Sequence, residues 1–253
     1  MAKEILIQRE GQETRVAILD QGKVDEYFLE KEHQQSILGN IYKGRVESIL
    51  PSINGAFVNI GQEKNGFLYL TDAVNPLVED EVNGAKGFLN KFLRKKNKGG
   101  GPRRFSEPVS FKQGQEILVQ VVKEPFSTKG ARLTTHISLA GRFLVYMPYD
   151  VHCGVSKRIE DQQERQRLRE VLKGFDFIQS GGFIVRTVSS EQNRGDLIRE
   201  AKFLYKIWQQ IQKLTERKDA PALIYKEYDM ILKVIRDYFD DTVGSLFLNS
   251  ESD

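Results

Sequence analysis

The sequence has little of what a disulfide-bonded, zinc-binding or membrane-spanning protein needs. It contains one cysteine, Cys153, and three scattered histidines, so no internal disulfide can form and no ligand set for a structural zinc is present. No apolar run approaches the roughly 20 residues of a membrane helix, and residues 1–10 lack the apolar stretch of a secretory signal. We therefore expect a cytoplasmic protein whose chain itself binds no metal.

Excess charge of one sign is also missing. Lys and Arg number 38 against 35 Asp and Glu, which leaves a net charge of +3 over 253 residues. Binding of a polyanion would therefore depend on local clusters of Lys and Arg and not on the overall charge. The hydrophobic fraction of 40% is that of an ordinary globular chain, so the sequence can form packed cores.

The first half of the chain has the pattern of short β-strands. Alternating apolar and polar residues from Lys3 to Leu29, interrupted at Glu10-Gly11 and Gln21-Gly22, predict an antiparallel meander. Closely spaced strand patterns from Gly39 to Leu70, and again from Glu116 to Val122, predict a small barrel that closes near Thr135. A long basic loop, residues 72–112, is inserted between these strands.

The second half mixes helices and strands. The pattern predicts a short surface helix over Glu164–Leu172 and a buried strand over Phe183–Thr187. Apolar residues at near-helical spacing predict a long amphipathic helix from Gly195 to about Thr215, and a further helix from about Tyr228 to Phe239. A strand pattern, SLFL, follows. The fold class predicted from these patterns is α+β.

Aromatic and basic residues alternate along the predicted barrel strands. The aromatic candidates are Tyr42, Phe57, Phe67 and Tyr69, and Lys43 is the nearest cation in the first of these strands. Aromatic faces stack on unpaired bases while cations follow the phosphates, which is how small barrels hold single strands of nucleic acid. Aromatic residues in strands are also typical of a hydrophobic core, so the pattern alone leaves both interpretations open.

Several motifs in order give the chain a specific resemblance. NIYKG, AFVNIG, NGFLYL, KGARLTTHISLAG and GGFIVRT are together similar to the bacterial RNase E/G family. In that family the barrel is an OB-type, ribosomal S-one-like domain that binds RNA. The resemblance implies that Phe57 and Phe67 form the base-stacking surface and that Lys129 reaches the RNA backbone, with Tyr42 and Lys43 as further RNA-binding candidates.

The stretches LAGRFLV and GGFIVRT resemble the family's pocket for a 5′-terminal monophosphate. The resemblance implies that Arg186 clamps the phosphate, that Thr187 donates a hydroxyl hydrogen bond, and that Gly141 and Val145 supply main-chain contacts to the terminal nucleotide. The chemistry fits these residue types, because a guanidinium recognises phosphate oxygens in a bidentate, geometry-specific way. A surface ion pair is the alternative role for Arg186.

The resemblance also implies a domain order. It predicts a split, incomplete RNase H-like subdomain formed by residues 1–35 and 232–253. The OB-fold RNA-binding domain (36–135, with the basic loop 72–112) and an α/β 5′-phosphate sensor domain (136–231) are inserted into it. The family's catalytic aspartates, which hold Mg²⁺, and the cysteines of its zinc-linked dimer lie in a segment that follows these residues. We therefore expect no catalytic or metal-binding residues here and no cleavage by this chain alone.

The function predicted from the resemblance is binding of single-stranded RNA, preferably with a 5′-monophosphate end, as part of an endoribonuclease of rRNA maturation and mRNA turnover. Homo-oligomers are expected only for the full-length enzyme. An alternative is a non-catalytic RNA-binding adaptor or chaperone derived from the same family. A third possibility, a translation-associated barrel protein, rests on fold analogy and does not explain GGFIVRT.

Overall fold

The computed structural model of the chain describes residues 2–31, 36–73, 111–175, 178, 180–190 and 192–249. These residues form three β-sheets and three α-helices. The strands are β1 (Lys3–Glu10), β2 (Glu13–Asp20), β3 (Lys23–Lys31), β4 (Ile41–Leu50), β5 (Gly55–Asn59), β6 (Gly66–Tyr69), β7 (Glu116–Lys123), β8 (Arg132–Thr134), β9 (Leu139–Ala140), β10 (Leu144–Met147), β11 (Gly154–Val155), β12 (Gly182–Val185), β13 (Ala222–Tyr225) and β14 (Val243–Leu248). The helices are α1 (Gln162–Lys173), α2 (Arg194–Arg217) and α3 (Met230–Tyr238).

The first sheet has the strand order β14-β1-β2-β3. Strands β1, β2 and β3 form the predicted antiparallel meander, and β14 adds to β1 in parallel. The two residues that join β2 to β3, Gln21 and Gly22, both have positive φ, as a tight hairpin turn between twisted strands requires. Apolar residues at alternate positions of β1 and β2 face α3 and bury its Val234, so the sheet is covered on one side.

The second sheet is the predicted five-stranded closed barrel, with the order β4-β5-β6-β8-β7 and closure by pairing of β4 with β7. All neighbours are antiparallel except β6 and β8, which run parallel. Its interior is filled by inward-facing apolar side chains, among them Val46, Val58, Leu68 and Val119. The barrel core is therefore closed on itself, and residues at the alternate positions face outward.

The third sheet, in the order β11-β12-β10-β9, packs against α1 and α2. The apolar positions of α2 that the helical spacing predicted are all buried: Leu197, Ala201, Leu204, Trp208 and Ile211. Asn193 caps the N-terminus of α2 by accepting a hydrogen bond from the backbone N–H of Asp196. This capped helix forms the firm base on which the β9–β10 connection rests.

The three predicted helices are present with small shifts at their ends, and β12 ends at Val185, two residues before the predicted limit. Two strands differ more. β8 stops at Thr134, and β13, which the sequence pattern did not predict, pairs with barrel strand β4. Most of the predicted basic loop, 74–110, lies outside the described residues. The domain boundaries, and the OB and RNase H-like character of the sheets, stay predictions.

No helix among the described residues is both long enough and apolar enough to cross a membrane.

Candidate nucleic-acid interface

An aromatic row lies on the outer face of the barrel. It consists of Phe57, Phe67 and Tyr69. Phe57 and Phe67 are opposite each other in the β5–β6 pairing, with ring centroids 5.5 Å apart, and the Phe67 and Tyr69 rings are 4.7 Å apart. Their strand neighbours Ala56, Val58 and Leu68 point inward, so the alternation of the strands leaves the row partly open to solvent.

Gly55 explains the position of the Phe67 ring. A Cβ atom at residue 55 would lie 2.3 Å from the ring carbon Cζ of Phe67. The ring therefore lies across the bare backbone of Gly55, a place that any side chain at that position would fill. The GAF sequence of β5 thus fixes the aromatic row from below.

Arg132 extends the row with a cation. Its backbone is the parallel partner of Phe67, and its guanidinium carbon lies 4.7 Å from the centroid of the Tyr69 ring. Asp72 accepts a hydrogen bond from Arg132 Nη2 at 2.7 Å. The sequence analysis missed Arg132. Its alternation with the inward-facing Leu133 in the KGARLTT motif was the available signal.

Lys129 lies in a short turn beside this row. The backbone groups of Phe126 and Lys129 bond each other in both directions, at 3.1 and 2.9 Å, and Lys64 Nζ donates to the carbonyl of Ser127 at 2.7 Å. The Lys129 side chain is exposed. Phe126 is 80% exposed, an unusual state for a large aromatic residue, and the sequence analysis did not select it.

Two predicted RNA-binding residues have a different environment. Tyr42 is only 3% exposed and belongs to the barrel core, so its ring offers no face to a base. Lys43 Nζ forms an ion pair with Glu116 at 2.9 Å and donates to the carbonyl of Lys218 at 2.9 Å. The stacking role predicted for Tyr42 is corrected by its burial, and Lys43 joins β4 to the segment before β13. Neither is kept as an RNA contact.

The second candidate region is the connection between β9 and β10, residues 141–143. The carboxylate of Glu200 on α2 accepts hydrogen bonds from three consecutive backbone N–H groups, those of Arg142, Phe143 and Leu144, at 2.7 to 2.8 Å. Burial raises the pKa of the Glu200 carboxyl above its ordinary value, although these N–H groups oppose the shift. A single side chain from α2 therefore fixes the shape of the 141–143 loop.

The structure brings together the residues predicted for the phosphate pocket. Arg186 follows β12 and donates through Nη1 to the carbonyl oxygen of Gly141 at 2.6 Å. Val145 lies in β10 directly opposite Ile184 of β12. Thr187 begins a short 3₁₀ turn, and its hydroxyl makes no hydrogen bond to another residue of the described ranges. The guanidinium and this hydroxyl are thus adjacent at one edge of the third sheet.

Asp237 on α3 also contacts Arg186, through an ion pair of 2.7 Å between Oδ1 and Nη1. Burial alone would raise the pKa of Asp237, but hydrogen bonds from Arg236 and Arg186 outweigh it and hold this pKa below its ordinary value. The ion-pair role considered for Arg186 is therefore real, although its partner was not foreseen. Asp237 lies 51 residues from Arg186 in the sequence, and no local pattern indicates their contact.

Two cavities adjoin this region. One of about 530 Å³ lies between β3 and α3 and has Arg236 and Asp237 in its wall. The other, of about 270 Å³, lies between α2 and α3 and has Gly141 and Glu200 in its wall. Neither includes Arg186 or Thr187, so these two residues form an open surface site and not the bottom of a cavity.

Within the described ranges, no group of three or more His, Cys, Asp and Glu residues is arranged to hold a metal ion. These residues therefore do not fit the Mg²⁺ or Zn²⁺ that the resemblance implies for a full-length enzyme. No step below passes through a metal.

Comparisons with known proteins agree with the resemblance. A family model described as Ribonuclease E/G family matches residues 138–253. Ribonuclease G of Escherichia coli strain K12 is 38% identical over 250 residues, which are 99% of this chain and 48% of the relative. Ribonuclease G of Haemophilus influenzae is 37% identical over the same shares, and ribonuclease E of a Nostoc species is 34% identical over 100% of this chain and 33% of the relative.

The chain thus spans about half the length of the ribonuclease G relatives that it matches. The similarity to these relatives covers the aromatic row, the Lys129 turn and the Arg186 region together, because it extends over 99% of the chain. On these grounds the chain belongs to the ribonuclease E/G family.

Proposed function

We propose that this chain binds single-stranded RNA on the outer face of its barrel. The observation that carries the proposal is the aromatic row, in which three rings share one exposed face with the Arg132 guanidinium at its end. Stacking on aromatic rings tolerates any base and contributes about 1–3 kcal/mol per base. Lys129, exposed beside the row, is the phosphate-binding cation. On this proposal the barrel is of the OB type.

The same chain recognises a 5′-monophosphate end at Arg186 and Thr187. The guanidinium is held by the Gly141 carbonyl, and the adjacent Thr187 hydroxyl is a hydrogen-bond donor of the kind a phosphate requires. Main-chain groups of Gly141 and Val145 lie in the two strands or loops that border this edge. A monophosphate end presents more negative charge to Arg186 than a hydroxyl end, so binding is selective for the former.

These two activities belong to an endoribonuclease of RNA processing and decay. By family resemblance, the whole enzyme is cytoplasmic, its catalytic domain uses Mg²⁺, its dimer is linked by Zn²⁺, and the first sheet is part of a split RNase H-like subdomain. Ribonuclease G and ribonuclease E are the names of the relatives that this chain matches. The chain alone holds RNA and reads its end but does not cut it.

The test is fluorescence anisotropy with one short single-stranded RNA that carries a 5′-monophosphate, a 5′-triphosphate or a 5′-hydroxyl. We expect the monophosphate to bind best and Arg186→Ala to remove that preference while leaving the affinity for 5′-hydroxyl RNA. Arg199→Ala is the matched control, because Arg199 is 81% exposed on the same part of the fold and the variant loses the same charge. Equal binding of all three ends by the unmodified chain would refute end recognition.

The barrel has its own arm in this experiment. Phe67→Ala should weaken all three RNAs to a similar extent, since stacking does not depend on the end group. Tyr27→Ala removes an aromatic residue that is 56% exposed on the first sheet and serves as the control. Incubation of the chain with RNA and Mg²⁺, with a chelator in parallel, tests the expected lack of cleavage.

A further inference from the structure

The guanidinium of Arg186 has an occupied side and an open side. Nη1 carries two hydrogens, and both are used: one is donated to the Gly141 carbonyl at 2.6 Å and the other to Asp237 Oδ1 at 2.7 Å. Nε and Nη2 make no hydrogen bond to another described residue. These two nitrogens form one edge of the planar group, the edge that binds two phosphate oxygens at once.

Asp237 is itself fixed in place. Arg236 donates to both of its carboxylate oxygens, from Nε at 3.1 Å and from Nη2 at 2.9 Å. Arg236 also donates through Nη1 to the carbonyl of Ala140 at 3.2 Å and lies 3.6 Å from the Glu227 carboxylate. Charges therefore alternate along Glu227, Arg236, Asp237 and Arg186, and the chain is only partly exposed to water.

The arrangement is symmetric about Asp237. The two arginines that it joins hold the carbonyls of two adjacent residues, Ala140 and Gly141, at the start of the 141–143 loop. The loop is held from its other side by Glu200. A carboxylate at residue 237 thus determines where the guanidinium of Arg186 lies relative to the loop and in which direction its open edge points.

We propose that Asp237 is the positioning residue of the phosphate site: it fixes Nη1 of Arg186 so that the Nε and Nη2 edge faces a 5′-monophosphate. This inference rests on the proposed function of Arg186. The geometry of Asp237 helps binding, whereas its negative charge opposes the phosphate. A positioning role and a purely electrostatic role therefore make opposite predictions for two conservative substitutions.

Asp237→Asn keeps an acceptor oxygen at the same distance and removes the charge. Asp237→Glu keeps the charge and moves the acceptor by one methylene group. If Asp237 acts by position, the ratio of affinities for 5′-monophosphate and 5′-hydroxyl RNA stays within about twofold in Asp237→Asn and falls about tenfold in Asp237→Glu, as expected when a hydrogen bond to a charged group is lost.

The measurement is fluorescence anisotropy of both RNAs with the unmodified chain, the two variants and Asp241→Ala, which removes an exposed carboxylate just beyond α3. Thermal unfolding and the affinity for 5′-hydroxyl RNA report on folding, and neither should change in Asp237→Asn. An unmodified chain that binds both ends equally overturns the proposed function together with this inference. A preference that is present in the unmodified chain and survives in Asp237→Glu, or is lost equally in both variants, overturns the positioning role alone.

Discussion

The carboxyl group of Glu200 lies directly against the α carbon of Gly141, so that a Cβ atom at residue 141 would be 2.5 Å from Glu200 Cδ. This closeness lets one carboxylate reach three successive backbone N–H groups of the loop. It also makes the loop sensitive to a single methyl group.

Gly141→Ala should therefore lower the free energy of unfolding by about 1–3 kcal/mol, the usual effect of overpacking. It should also reduce the preference for 5′-monophosphate RNA, because the Gly141 carbonyl holds Arg186. Urea denaturation and anisotropy measure the two effects. Gly154→Ala is the control, since a Cβ there meets only atoms at 3.5 Å or beyond. A fully stable Gly141→Ala variant would mean that Glu200 has room to move.

The pH dependence of stability should carry a contribution from Glu200. Burial raises its pKa in the folded state, so the folded protein binds a proton more tightly than the unfolded chain does. Its contribution to stability is thus fully present below the ordinary pKa of a glutamate and is lost as the pH rises through the raised value. Denaturation of the unmodified chain and of Glu200→Gln between pH 4 and pH 7, values chosen to bracket that about-4.3 ordinary pKa, tests this.

Glu200→Gln should be less stable than the unmodified chain at every pH in that series, because an amide has one acceptor oxygen for three N–H donors. The difference should be largest at the acid end and shrink toward neutral pH. A difference that grows as the pH rises would contradict the raised pKa.

Lys129 should contribute charge and not base selectivity. Its side chain is exposed on a turn that the Lys64 contact to Ser127 braces, so substitution should leave folding intact. Lys129→Ala is expected to reduce the slope of log affinity against log salt by about 1, the change for one lost phosphate contact. Lys157→Ala, another exposed lysine, is the control for lost charge. An unchanged slope would remove Lys129 from the RNA contacts.

Phe126 should add a stacking position to the barrel surface. An aromatic side chain that is 80% exposed contributes little to the core, so Phe126→Ala should leave the free energy of unfolding within about 0.5 kcal/mol. On RNA long enough to reach this turn, affinity should fall by about 1–3 kcal/mol, as for other stacked bases. Phe126→Trp should retain binding. If Phe126→Ala binds as tightly as the unmodified chain, the ring lies outside the RNA footprint.

Local patterns predicted the elements better than their partners. The meander, the closed barrel and α2 follow from alternation and helical spacing, because each is encoded by adjacent residues. Tyr42 shows the limit for strands: the period of two groups residues by face but does not say which face is inside. Strand β13 was missed because it is short and follows Pro221, which is typical of a loop.

The predicted phosphate residues are adjacent in the fold, yet their supports were not predicted. Glu200 is one charged residue in an amphipathic helix, and Asp237 is one in a short helix, so each has the appearance of a solvated side chain. Their partners are 51 to 58 residues away. Only the packing of α2 and α3 against the 141–143 loop determines that these carboxylates meet backbone N–H groups and an arginine.

The pairing of β14 with β1 has a consequence for how the molecule is made. Arg9 and Asn249 exchange hydrogen bonds at 2.8 and 2.9 Å across 240 residues of sequence. Contacts of such separation form late, because a long loop must close before they are gained. On a ribosome, which releases the chain from its N-terminus, the barrel can close and bury its interior while the first sheet still waits for its fourth strand.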